Sequence, residues 1–238
     1  MAGNAVKRIV FLCSGGGGNL SFLHHAIRQK WLPDAEIPGV ITDRQCAAND
    51  FCDRVGIRHE IVKITAQDQA GLLDNLVALE PDVIVTTVHR IIGRQVIDRF
   101  EDKLVNLHYS LLPAFPGLIG TAPVQAALDH QALFAGVTVH LVNEQVDAGQ
   151  PLVQAAIPLI PNDTLETLMP IVFRSGCLAL LRALSTGTDL DHSTGMSAIT
   201  SILGRVCLIN GGGPHRADMA DDQRFWDDVA ASVSMPSA

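Results

Sequence analysis

The sequence predicts an α/β fold with a doubly wound, mostly parallel sheet, and three observations carry that prediction. A short continuous apolar run at residues 8–13 reads as a strand buried on both faces, and further strands are read at 83–87 and 103–107. Segments with apolar residues at helical spacing separate such runs, so strand and helix alternate as in βαβ units. A glycine run at 15–18 joins the first strand to the first helix. Right-handed crossovers place helices on both faces of such a sheet, a Rossmann-like arrangement. The length of 238 residues suits one large α/β domain with an appendage.

The strand over 8–13 leads through the glycines into a helix over 19–29, with Leu20, Leu23 and Ile27 on one side. A strand at 37–42 precedes a helix over 46–55, which Gly56 stops. A strand at 58–62 and a helix over 70–79 follow. Pro81 introduces the strand at 83–87, a short helix spans 95–100, and the next strand covers 103–107. Beyond residue 107 the rhythm changes. Residues 110–121 read as a loop with Pro113, Pro116, Gly117 and Gly120, and Pro123 opens a helix over 123–129. Strands at 136–142 and 152–157 are joined by a link that resembles a long hairpin more than a helical crossover. Asp163 and Glu166 stand at capping-box spacing before a helix to about Leu184, which Pro170 should break early or kink. The sequence loosens after Gly187, so residues 1–187 are read as one domain and 188–238 as a C-terminal extension. In the extension, 199–209 forms one further strand or helix, 211–214 is a breaker cluster, and 218–233 holds an acidic helix.

Composition removes several classes. Lys and Arg total 17 against 25 Asp and Glu, a net charge of −8, which argues against broad nucleic-acid or anionic-membrane binding. No run approaches the roughly 18 uninterrupted apolar residues of a membrane span, and no signal segment precedes the first strand. The five cysteines match neither a disulfide framework nor a zinc pattern, so free thiols in a reducing cytoplasm are expected.

Three segments carry candidate chemistry. The loop from Ser14 to Asn19 ends a strand and opens a helix, where backbone N–H groups can cradle a phosphate or carboxylate; it reads equally as a tight turn. It has neither the Walker pattern nor the full dinucleotide glycine spacing. Asn106 and His108 alternate onto one face at the carboxyl end of a strand, where an amide and an imidazole can hold an oxyanion or simply bind the loop. Asp147, in Val146-Asp147-Ala148-Gly149, is an ordinary turn residue or a carboxylate that raises the His108 pKa and moves a proton. His24, His25, His130 and His140 lack the spacing of a helical metal site, no metal is expected, and Ser110 has no nucleophile elbow around it.

Together these segments resemble the folate-dependent formyltransferases, most nearly the branch that formylates glycinamide ribonucleotide. The likeness runs in unbroken order from about residue 7 to 185. It comprises residues 8–20, 81–85, 89–92, 106–117, 136–140 and 146–149, with Asp163-Thr164 closing it. The most specific part is the stretch from Asn106 through His108 and Ser110-Leu111-Leu112-Pro113 to Gly117. The resemblance implies 10-formyltetrahydrofolate as donor and Asn106, His108 and Asp147 as the catalytic trio. Asn106 and a protonated His108 stabilise the oxyanion, and Asp147 keeps His108 charged and assists proton transfer. It places the pterin against Arg90, Ile91 and Ile92 on one side and the backbone from Val142 on the other. Gly17, Gly18 and Asn19 then cradle the acceptor.

Departures from the family pattern fall at the acceptor end. Tyr109 stands where most members have Pro, Gly18 where many have Ser, and Val88-His89 where Phe-Met is expected. The run Gly120-Thr121-Ala122-Pro123 is more like the methionyl-tRNA or sugar-nucleotide branches. Phe173 and Gly176 occupy the places of a phosphate-binding Lys and an acceptor-binding Glu, with Arg174 one residue away, and the chain beyond Leu184 has no matched counterpart. The expectation is a formyltransferase for a small amine other than glycinamide ribonucleotide, with Tyr109, His89 and the C-terminal segment near the acceptor. That segment equally suits a dimer arm, hence a homodimer, or a lid. The alternatives are a glycinamide-ribonucleotide enzyme, a 10-formyltetrahydrofolate hydrolase, a non-catalytic folate binder and, least favoured, a dinucleotide oxidoreductase.

Overall fold

The computed structural model describes residues 6–185, 197–210, 217–220 and 222–234. The chain forms two compact units, one of residues 1–105 with 223–238 and the other of residues 106–222.

The first unit is the alternating α/β part: β1 (Lys7–Cys13), α1 (Gly18–Arg28), β2 (Ala35–Glu36), β3 (Val40–Thr42), α2 (Ala47–Val55), β4 (His59–Ile61), α3 (Ala70–Leu79), β5 (Val83–Thr87) and α4 (Arg94–Arg99). Its strands run parallel in the order β4-β3-β1-β5, with β2 also beside β1. Ile9, Val10, Phe11 and Leu12 of β1 and Val83, Ile84 and Val85 of β5 are wholly buried, which is why both strands read as continuous apolar runs. Gly17 closes the loop after β1 with φ 70°. A Cβ there would lie 3.0 Å from the Ala48 Cα, so conformation and close approach both require glycine. Gly56, at φ 74°, ends α2 as expected.

The second unit contains the end of β6 (Leu104–His108), then α5 (Ala122–Asp129), β7 (Phe134–Leu141), β8 (Pro151–Pro158), α6 (Leu165–Ser185), β9 (Ala198–Ile202), β10 (Arg205–Ile209) and α7 (Ala217–Ala220). Its strands lie in the order β6-β7-β8-β10-β9, and the pairs from β7 onward are antiparallel, as the hairpin-like link predicted. α6 packs on one face of β7, β8 and β10, against Val137, Val139, Ala155 and Ile157. By length and composition α6 could cross a membrane, yet most of it is buried, as befits a core helix.

Three expectations need correcting here. Residues 199–209 are a hairpin rather than one element, because Leu203 (φ 52°) and Gly204 (φ 77°) make the left-handed two-residue turn that suits paired strands. Pro170 does not break α6. The carbonyl it deprives of a donor belongs to Glu166, which is exposed and open to water. The cap of α6 is Thr164 with Thr167, each hydroxyl accepting the other's backbone N–H, at 3.3 and 3.0 Å. Asp163 instead pairs with both terminal nitrogens of Arg205, at 2.8 and 2.9 Å.

The described residues of the C-terminal segment pack within the two units. Its hairpin extends the second unit, and α8 (Gln223–Ser234) belongs to the first, where Trp226 stacks on Phe22 of α1 at 5.4 Å and the Ser21 hydroxyl donates to the Val229 carbonyl. The proposed boundary at 187/188 and the breaker cluster at 211–214 lie outside the described residues.

Candidate active site

The second unit holds the catalytic candidates. Asn106 is half-buried and His108 buried on one face of β6. The His108 ring sits between two acceptors: Nε2 lies 3.1 Å from the Phe115 carbonyl, and Nδ1 lies 3.3 Å from Asp147 Oδ2. That same carboxylate oxygen accepts the Gly117 backbone N–H at 2.7 Å. Asp147 Oδ1 faces His140 Nε2 at 3.6 Å, while His140 Nδ1 donates to the Leu141 carbonyl at 2.7 Å. His140 Nε2 is buried with no hydrogen bond among the described residues.

The backbone explains why these groups meet. Phe115 and Asp147 both hold left-handed conformations, φ 55° and 54°, which a bulky side chain adopts only when its surroundings enforce it. The Phe115 ring stacks on His130 with centroids 5.6 Å apart. Gly149 supplies the close approach: any Cβ there would collide with the Leu141 carbonyl, so the Asp-Ala-Gly turn can press against the end of β7 only with glycine third. A pairing irregularity at Val139/His140 lies beside it.

The electrostatics of the pair run in one sense. Burial pushes the Asp147 carboxyl up, but His140, the Gly117 N–H and the His108 charge outweigh it and leave it below the usual carboxylate range. Burial lowers the His108 pKa, helped by nearby His140, and exceeds the opposing pull of Asp147 and the Phe115 carbonyl. Asp147 acts to hold a proton on His108, and burial acts against it. An acceptor lies beside each ring nitrogen, ready to hold a proton on either.

The remaining ligand candidates are shared out between the units. Gly17, Gly18 and Asn19 form the turn into α1 in the first unit. Ser14 Oγ, just before them, accepts the His89 backbone N–H at 2.8 Å. Arg90 is committed to Asp43, its Nε 3.1 Å from Oδ2, and Arg44 grips both oxygens of the same carboxylate at 3.0 and 2.7 Å. Those bonds, Arg44's foremost, hold the Asp43 carboxyl down at about 2. Gln69 braces the next turn, donating to the Ile91 carbonyl and accepting the Gly93 N–H. Ile91 is 71% exposed and Ile92 is buried, so the segment presents an apolar side chain and backbone while Asp43 offsets the Arg90 charge, a surface that fits a flat heterocycle. Val142 lies half-buried just past β7, in the second unit.

At the acceptor end, Tyr109 packs on α6. A Cβ on Gly176 would lie 3.3 Å from Tyr109 Cε1 and 3.1 Å from Leu107 Cδ2. Arg174 is buried and donates to the Ala220 carbonyl, so it braces α7.

A buried imidazole and carboxylate at the end of a strand, in an α/β fold with a glycine turn after β1, define a group-transfer enzyme of the Rossmann-like class. The chain belongs to the Formyl transferase family, which matches residues 7–184, and is a 10-formyltetrahydrofolate-dependent formyltransferase acting in one-carbon metabolism. It is 31% identical to the phosphoribosylglycinamide formyltransferase of Mycobacterium tuberculosis over 87% of this chain and 95% of that one. An alignment of that length runs past Leu184, so part of the C-terminal segment does have a counterpart. Among solved structures, glycinamide ribonucleotide transformylase 1 from Symbiobacterium toebii superposes with a TM-score of 0.71 at 29% identity, covering 78% of this chain and 89% of that one. Phosphoribosylglycinamide formyltransferase from Brucella melitensis gives 0.67 at 35% identity, covering 76% and 95%.

Proposed function

We propose that the protein transfers the formyl group of 10-formyltetrahydrofolate to the primary amine of glycinamide ribonucleotide. The observation that carries the chemistry is the His108–Asp147 pair, with the Asp147 carboxyl held down by His140 and the Gly117 N–H. The amine nitrogen bonds to the formyl carbon, and the oxygen gains charge that the Asn106 amide and a His108 N–H stabilise. Asp147 receives the amine proton, directly or through water, and returns it to the departing folate nitrogen as its bond to carbon breaks. The relatives named above are glycinamide ribonucleotide enzymes by name, and the expectation of a different acceptor draws no support from them.

A second reading, another small amine, rests on one observation: Gly176 faces Tyr109 and offers no side chain to an acceptor. The family match ending at residue 184 supports reading 1–187 as the catalytic part and 188–238 as an appended segment. The five free thiols support a cytoplasmic, reducing setting.

The test follows donor consumption by absorbance, with and without glycinamide ribonucleotide. Turnover that requires the nucleotide is the expected result. Donor bound, as shown by protection against heat, with no turnover on the nucleotide selects the second reading. Donor consumed without any amine makes the protein a hydrolase and overturns both.

A further inference from the structure

We propose that the face of the second unit's sheet opposite α6 is where a second copy of this chain docks. β7, β8, β10 and β9 are neighbours, and their registers align Gly136, Ala156, Leu208 and Ile199 in one row across four strands. Two residues along, Phe134 pairs with Pro158 and Val206 with Ser201. None of these eight positions is charged.

The inward residues of the hairpin, Thr200, Ile202, Cys207 and Ile209, are buried, as one covered face requires. Its outward residues should then be polar. Apart from Ser201 they are instead Ile199, Val206 and Leu208, exposed by 70%, 58% and 46%, and Phe134 beside them is 52% exposed. Leu133, Ile160 and the turn residue Leu203 are exposed at the same end of the strands. Leu111 covers this face at Gly136, but over the hairpin the described residues cover only the inward side, and strands apolar on both faces are those covered on both faces.

Area and charge identify the occupant. Large apolar side chains exposed to this degree present on the order of 700 Å², above the few hundred in one patch of a typical monomer and near the roughly 800 Å² per partner of a standard interface. A homodimer face is more apolar than other interfaces, and a two-fold contact needs only one self-complementary patch. The chain carries a net charge of −8, yet its copies would meet here on an uncharged surface. Nucleic acid or anionic lipid would need free cations, and the arginine of this hairpin, Arg205, is paired with Asp163.

Sedimentation of the full chain across a concentration series tests this. The wild type should sediment as a dimer. Leu208→Glu should weaken association at least about thirtyfold, while Ile61→Glu, an exposed substitution on β4 of the first unit, should leave it intact. A wild type that stays monomeric, or a Leu208→Glu dimer as tight as the wild type, overturns the proposal. Should Leu208→Glu fail to fold, hydrogen exchange of the wild type at high and low concentration decides. Concentration-dependent protection of residues 198–209 is expected, and its absence overturns the proposal equally.

Discussion

Two aspartates show how one residue type serves different ends. Asp43, in the first unit, has a fully buried carboxylate gripped by Arg44 and Arg90, groups that stay charged at any ordinary pH. Asp147, in the second, faces two imidazoles and one backbone N–H. Arginine partners fix a charge permanently. Histidine partners make it conditional, because an imidazole, unlike a guanidinium, can give up its proton. The first arrangement holds a turn, and the second suits proton movement.

The sharpest break in this comparison comes from removing each carboxylate charge in turn. Asp147→Asn keeps an oxygen for the Gly117 N–H but cannot take a proton, so turnover should fall by about 10²–10⁴ with the melting temperature little changed. A variant within tenfold of wild type would remove Asp147 from proton transfer. Asp43→Asn should leave the chemical step alone and act on stability. Its folded carboxyl sits at about 2, below the ordinary carboxyl value of 3.8. Its contribution is therefore complete above pH 3.8 and disappears as pH falls through about 2. Because both arginines are half-exposed, about 1 kcal/mol is expected, read as a lower denaturant midpoint at neutral pH that converges with wild type in acid.

The same contrast shows what the sequence made legible. The parallel α/β part was readable because buried central strands write themselves as unbroken apolar runs, and Asn106, His108 and Asp147 because their spacing and surrounding motif are specific. His140 was passed over as a histidine within an apolar strand. Gly136, Thr138 and His140 in fact alternate onto the face opposite Val137 and Val139, a small and polar stripe that period-two reading would have exposed. The Phe115 carbonyl had no signal at all, since a backbone acceptor is placed by a left-handed φ that composition does not encode. The 199–209 hairpin was missed because a Leu203-Gly204 turn carries only one of the usual turn residues. Neither the burial that lowers the His108 pKa nor the Arg44–Asp43 clamp can be inferred from spacing, because both depend on packing across the sheet.

The smallest effect refines the conditional side of the comparison. His140 reaches Asp147 only at 3.6 Å, and its own Nδ1 is bound to the Leu141 carbonyl, so it steadies the carboxylate without gripping it. It also stands among the causes that lower the His108 pKa, behind burial. His140→Asn should therefore move the His108 titration upward, toward the ordinary imidazole value of about 6.5, as read from the ring proton resonances. The sign for stability follows. A folded pKa below the unfolded value costs stability as pH falls from about 6.5 toward the folded value, so the variant should lose less than wild type over that interval. Turnover should drop less than about tenfold, the scale of a long, partly screened contact worth about 1 kcal/mol. A downward shift of His108 would mean that His140 supports its proton instead of opposing it. Asp147 would then be working between two cooperating imidazoles.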